Sequence, residues 1–277
     1  MIKRHDIFLI RHLVFLYAEL KITFFTKNYY TRKRPKYIWR FYIRYISNYF
    51  EAIKLFFTTN IKEINFFIET KTPKLETHGY EFLPNIDLKK IDFIGDYMDH
   101  YNDKNIIKNR KIDYLKARNF SLSNNFEKIV EKYFKKNKCN FEVQSWETSK
   151  YIERDKVQNS LWHRDRDGLR VLKIFIYLSD VELSNGPHEY VAGSHIIKPL
   201  RFVPQIRYSD QSVNSIFEKN RRILLGNKGA CFIVDTTGLH RSTPPNHIDG
   251  RNILNLTYYT GNLIGNENIQ EIQLNKL

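Results

Sequence analysis

His163 and Asp165 stand two residues apart in Trp162-His163-Arg164-Asp165. On an extended strand side chains alternate, so these two project to one face and Arg164 to the other. One imidazole nitrogen and one carboxylate oxygen then converge on one small volume. A carboxylate on a buried face is costly unless it is paired or bound to metal. Asp167 is the alternative carboxylate, but it directly precedes Gly168 at a turn. The best candidate for a third donor is His240, in Thr237-Gly238-Leu239-His240-Arg241-Ser242-Thr243, which follows the apolar run Cys231-Phe232-Ile233-Val234. His188, His195 and His247 compete with it. Two histidines and one carboxylate leave the opposite positions of a metal open, the ligand pattern of non-haem Fe(II) oxygenases. Arg251 opens a β-like run, residues 251–259, where a guanidinium can clamp a carboxylate bidentately. Ser242 shares the face of His240 if the strand is regular. Gln144, on the preceding strand, is a weaker candidate for touching cosubstrate or substrate. Lys173 faces either the cavity or the surface.

Taken in order, Leu161–Asp165, Leu172–Val181, Asn185-Gly186-Pro187 with Gly193-Ser194-His195, Asp235–Ser242 and Arg251 resemble the phytanoyl-CoA dioxygenase family of Fe(II)/2-oxoglutarate-dependent oxygenases. The match runs over roughly residues 75–262; the N-terminal quarter lies outside it. The resemblance implies a double-stranded β-helix (jelly roll) and iron held by His163, Asp165 and His240. It also implies 2-oxoglutarate clamped by Arg251 with Ser242, and O2 as oxidant. His195 then helps to position a loop and binds no metal. Family members that halogenate lack the carboxylate, so Asp165 points to hydroxylation, with decarboxylation of 2-oxoglutarate to succinate. The substrate expected is a small molecule, a lipid or a glycan. The competing reading is a catalytically silent metal-binding jelly roll that works through its N-terminal helices.

The elements that must position these residues read as follows. From Asn140 onward strand signals dominate: 140–148, 159–164, 170–178, 187–192, 222–225, 230–235, 238–242 and 251–260, with a helical insertion at 209–220. Short strands without βαβ alternation predict a mainly β domain, a sandwich or jelly roll with flanking helices, here placed at 73–277. A short strand follows Gly79. Residues 86–101 and 121–136 have helical spacing, the second capped by Ser123 or Asn124.

Residues 1–72 are expected to form a basic amphipathic helical extension, with helices at 5–25 and 36–58. Twelve Lys and Arg face three Asp and Glu in residues 1–60, which concentrates the net charge of +15 of this 277-residue chain. A basic amphipathic face suits packing on the domain or peripheral contact with an anionic membrane surface. Nucleic acid ranks last, because no recognition motif accompanies the basic turn at 29–36. Charges at Arg11, Glu19 and Lys21 interrupt the apolar stretch 7–25, which argues against a secretory signal and against a membrane span of ~20 apolar residues. Two cysteines, Cys139 and Cys231, outside any CxxC, fit buried thiols in a reduced, cytoplasmic setting. No Ser-His-Asp arrangement, P-loop or dinucleotide fingerprint is present.

Overall fold

The computed structural model describes residues 72–98, 107–148, 160–165, 168, 170–196, 207–243, 245, 250–261 and 270–274. The expected N-terminal helices, the basic turn, Asp167 and His247 lie outside these residues. Among the described residues no helix is long and apolar enough to cross a membrane.

The strands are β1 (Tyr80–Leu83), β2 (Ile94–Tyr97), β3 (Ile107–Ile112), β4 (Lys138–Thr148), β5 (Trp162–His163), β6 (Arg170–Tyr177), β7 (His188–Val191), β8 (Arg207–Tyr208), β9 (Arg221–Leu224), β10 (Cys231–Asp235), β11 (His240–Ser242), β12 (Arg251–Thr260) and β13 (Gln270–Gln273). The helices are α1 (Leu75–His78), α2 (Tyr114–Ser123), α3 (Phe126–Phe134) and α4 (Asp210–Phe217). An eight-stranded sheet runs β1-β10-β6-β12-β4-β3-β2, with β13 also on β4; a five-stranded sheet runs β8-β5-β11-β7-β9. The named pairings are antiparallel.

The run Val171-Leu172-Lys173-Ile174-Phe175-Ile176-Tyr177 is almost continuously apolar because β6 is covered on both faces. Leu172, Ile174 and Ile176 point outward into a cluster with Ala117 and Phe120 of α2 and Phe126, Val130 and Phe134 of α3. Phe175 and Tyr177 point inward, where they meet Tyr190 of β7, Leu224 of β9 and Phe232 of β10. Behind the smaller sheet, Trp162, Val191 and Leu239 pack on Val213 and Phe217 of α4. The layers are therefore helix pair, large sheet, small sheet, helix: a jelly-roll-like sandwich whose inner faces enclose a cleft. Cys139 and Cys231 are free and buried in the outer cluster.

Two expectations need correction. Residues 86–98, the described part of the helix expected at 86–101, are not helical as expected. Leu88–Lys90 is one 3-10 turn capped by Asp87, and Ile94–Tyr97 is a strand paired with β3. Ile86, Leu88, Ile91 and Ile94 still pack against the outer cluster, so the apolar spacing was real but a sheet edge used it. The helix expected at 121–136 is broken at Asn124-Asn125. Asn125 takes a left-handed conformation, φ 59°, and α3 starts at Phe126. The preceding helix α2 is instead capped by Asp113, whose carboxylate accepts from the Lys116 N–H at 3.2 Å.

Candidate metal centre

β5 and β11 pair so that His163 and His240 are direct cross-strand partners. Their ring centroids are 4.3 Å apart. Each Nδ1 meets the carbonyl two residues earlier in its own chain segment: Leu161 at 2.8 Å for His163 and Gly238 at 3.0 Å for His240. A carbonyl only accepts, so each Nδ1 carries the proton and each Nε2 keeps its lone pair. Past the end of β5, the Asp165 N–H donates to Thr236 O at 2.9 Å, and Thr236 N–H donates to Val171 O at 3.0 Å. These bonds hang Asp165 between the two sheets. Its Oδ1 lies 4.0 Å from His163 Nε2 and 3.6 Å from His240 Nε2. One donor atom from each of the three residues falls within 4.8 Å of the other two.

The charges suit a cation at this point. Burial first, and then the neighbouring His240, lowers His163 to about 3. His240 is also lowered, chiefly by burial. Both imidazoles are therefore neutral at pH 7. Burial alone would raise Asp165, but the Lys173 ammonium outweighs it and keeps the carboxyl well below the usual range. Lys173 Nζ sits 2.7 Å from Asp165 Oδ2. The carboxylate thus divides its oxygens, Oδ2 to the lysine and Oδ1 toward the imidazoles. Two neutral imidazole lone pairs and one anionic oxygen, converging with their far sides anchored, form a donor set that fits a divalent first-row metal.

Arg251, at the start of β12, is 2% exposed. Its Nη1 donates to Gly186 O and its Nη2 to Ser242 Oγ. Ser242 lies two residues beyond His240 on β11, so the guanidinium stands one step along the same strand from the histidine pair. Gly186 has φ 78°, and a Cβ there would meet Thr243 O and the Pro245 backbone. The turn that offers its carbonyl to Arg251 therefore needs glycine. The Gly193-Ser194-His195 segment braces the approach to β11. Ser194 Oγ accepts from Leu239 N–H at 2.7 Å, and His195 Nε2 meets Glu76 O at 3.2 Å.

Gln144 lies opposite Asn255 across β4 and β12 and is exposed. Lys173, for which cavity and surface were both open, points inward and pairs with Asp165. The signal was a lysine inside an apolar run, in alternation with Phe175 and Tyr177. His188, weighed above as a rival ligand, lies outside the three-donor group. Its ring stacks on His240, with centroids 5.5 Å apart and planes at 17°.

No family model and no curated protein matches this chain. Among solved structures, the chain is similar to the epimerase SnoN in complex with Fe3+, alpha ketoglutarate and nogalamycin RO. That match has 13% identity and TM-score 0.51 over 73% of this chain and 85% of SnoN. A second structure of SnoN, a non-heme alpha ketoglutarate dependent epimerase from nogalamycin biosynthesis, matches at 13% identity and TM-score 0.52. It covers 75% of this chain and 89% of SnoN. The likeness establishes that the described sandwich is a fold shared with SnoN.

Proposed function

We propose that this chain is an Fe(II)/2-oxoglutarate-dependent dioxygenase that hydroxylates a small-molecule substrate. The observation that carries the reading is the convergence of His163 Nε2, His240 Nε2 and Asp165 Oδ1, one strand step from the buried guanidinium of Arg251. His163, Asp165 and His240 would hold the ferrous ion. Arg251, aligned by Gly186 and Ser242, would bind the far carboxylate of 2-oxoglutarate. Arg207, the cross-strand partner of His163 in β8, adds positive charge near the site, which favours an anionic cosubstrate. When bound, iron with 2-oxoglutarate and O2 supplies the oxidising chemistry that releases succinate and CO2 and leaves one oxygen for the substrate. The chain's own work is orientation and charge: fixed imidazole tautomers, a carboxylate kept ionised, and a cosubstrate aligned at both ends. Gln144, which is exposed, would reach substrate and not the metal.

The resemblance to phytanoyl-CoA dioxygenases supports this reading. So does SnoN, which shares the fold and holds Fe3+ and alpha ketoglutarate together with a small molecule. The test is iron-dependent formation of succinate from 2-oxoglutarate, comparing the wild type with Asp165→Ala. A folded, iron-loaded protein that neither binds nor consumes 2-oxoglutarate across a substrate panel overturns the proposal.

A further inference from the structure

His188 is a third imidazole in the cleft, and the metal centre does not use it. It is 3% exposed, and its Nε2 is buried with no hydrogen-bond partner among the described residues. Buried ring nitrogens in folded proteins are nearly always satisfied, so an orphan marks a place where something else binds. Its position says what. The ring stacks on His240 and lies 4.9 Å from Phe175, centroid to centroid. Across the sheet its partner is Ser242, which accepts from Arg251. Two residues before it is Gly186, whose carbonyl accepts from the same guanidinium. Both groups that hold Arg251 thus flank His188, and the ring bridges the span from the histidine pair to the guanidinium.

We infer that His188 is a cosubstrate-positioning residue: its Nε2–H donates to the far carboxylate of the 2-oxo acid, beside Arg251. The inference rests on the reading of the site as a 2-oxoglutarate site. Arg251 supplies the charge and two fork donors; His188 adds a neutral donor from the opposite sheet, so the carboxylate is held from both layers of the sandwich. The aromatic contacts with His240 and Phe175 keep the ring from turning away.

The experiment uses the full chain loaded with Zn(II), with 2-oxoglutarate binding followed by calorimetry. His188→Phe keeps a ring for the stack and removes both nitrogens. His188→Gln keeps an amide donor at similar reach. The expected result is unchanged Zn(II) affinity, an unchanged or higher melting temperature for His188→Phe, and 2-oxoglutarate binding about 10- to 100-fold weaker, the effect of one hydrogen bond to a charged group. His188→Gln should recover binding to within about threefold of wild type. Equal binding by His188→Phe and wild type overturns the inference while leaving the wider proposal standing. Loss of Zn(II) affinity in His188→Phe, or equal loss of 2-oxoglutarate binding in both variants together with a lowered melting temperature, assigns the ring a structural role and also overturns it. Failure of the wild type itself to bind 2-oxoglutarate removes both readings at once.

Discussion

Adding Zn(II) to the metal-free protein at about pH 6 should release fewer than about one proton, and this distinguishes the buried centre from an ordinary pair of histidines. Unperturbed imidazoles titrate near 6.5, so at about pH 6 each is roughly three-quarters protonated, and two of them would give up about 1.5 protons to a metal. Here burial holds His163 at about 3 and His240 below its ordinary value. Asp165 is already ionised because the Lys173 ammonium outweighs the cost of its burial. His163 and Asp165 therefore have no proton to give up at this pH, and His240 has less than an ordinary imidazole would. Calorimetric titrations in two buffers of different ionisation enthalpy count the protons directly. A release above about one proton at this pH would refute the account. The same asymmetry sets the stability of the metal-free protein. Between the unfolded value of about 6.5 and the folded value, the unfolded chain binds more protons than the folded one. Stability is thus fully present above about pH 6.5 and is lost as pH falls, by at most about 1.4 kcal/mol per pH unit for each buried histidine. Denaturant midpoints that stay level from about pH 7 to 5 would contradict the burial argument.

Three substitutions probe the remaining parts. Arg251→Lys keeps the charge and loses the planar fork, so the KM for 2-oxoglutarate should rise about 10- to 100-fold, with a smaller change in kcat measured at saturation. Lys173→Met leaves Asp165 Oδ2 without its cation, and the partners' side chains are only 18% and 13% exposed. The metal-free protein should lose about 2–4 kcal/mol by denaturant unfolding, less when Zn(II) is bound, because the metal then neutralises the carboxylate. Gly238→Ala places a Cβ against the Tyr190 hydroxyl and within 2.9 Å of Ser194 Oγ. The turn that anchors His240 Nδ1 must shift, and Zn(II) affinity by competition with a chelator should fall about tenfold or more.

The donors were readable because each breaks a local rule. An aspartate two residues from a histidine in an apolar setting and an arginine at the head of a strand are out of place unless they face something polar, whereas the lysine in Val-Leu-Lys-Ile-Phe-Ile-Tyr left both faces open until Asp165 was seen beside it. What stayed hidden depends on partners far along the chain. Ile86, Leu88, Ile91 and Ile94 fit a helical template, yet β2 forms because β3 offers it an edge. Helix α2 escaped notice because, of its ten residues, only Ala117, Phe120 and Ser121 are buried, too few to impose a period. His188 has no acidic neighbour at ligand spacing, since Glu189 directly beside it points to the other face of the strand, so its place beside His240 and Ser242 exists only once β7 and β11 pair.

The centre depends on a strand of two residues, β5, keeping its register. A slip by one would turn His163 to the opposite face and remove the site, since side chains alternate with period two. Two backbone partners, β8 and β11, are a weak constraint for so short a strand. Trp162 supplies the rest. It points opposite to His163, is fully buried against Val213 and Phe217 of α4, and donates its indole N–H to Asp210 Oδ1 at 2.7 Å. The guanidinium carbons of Arg221 and Arg241 lie 5.3 and 4.7 Å from its ring centre, and both arginines pair with Glu189. No other residue of β5 has the shape for that seat, so filling it orients the next residue into the cleft. The helical insertion between β8 and β9, which looks like decoration of a sandwich, is thereby part of what aims a ligand at the metal position on the other side of the sheet.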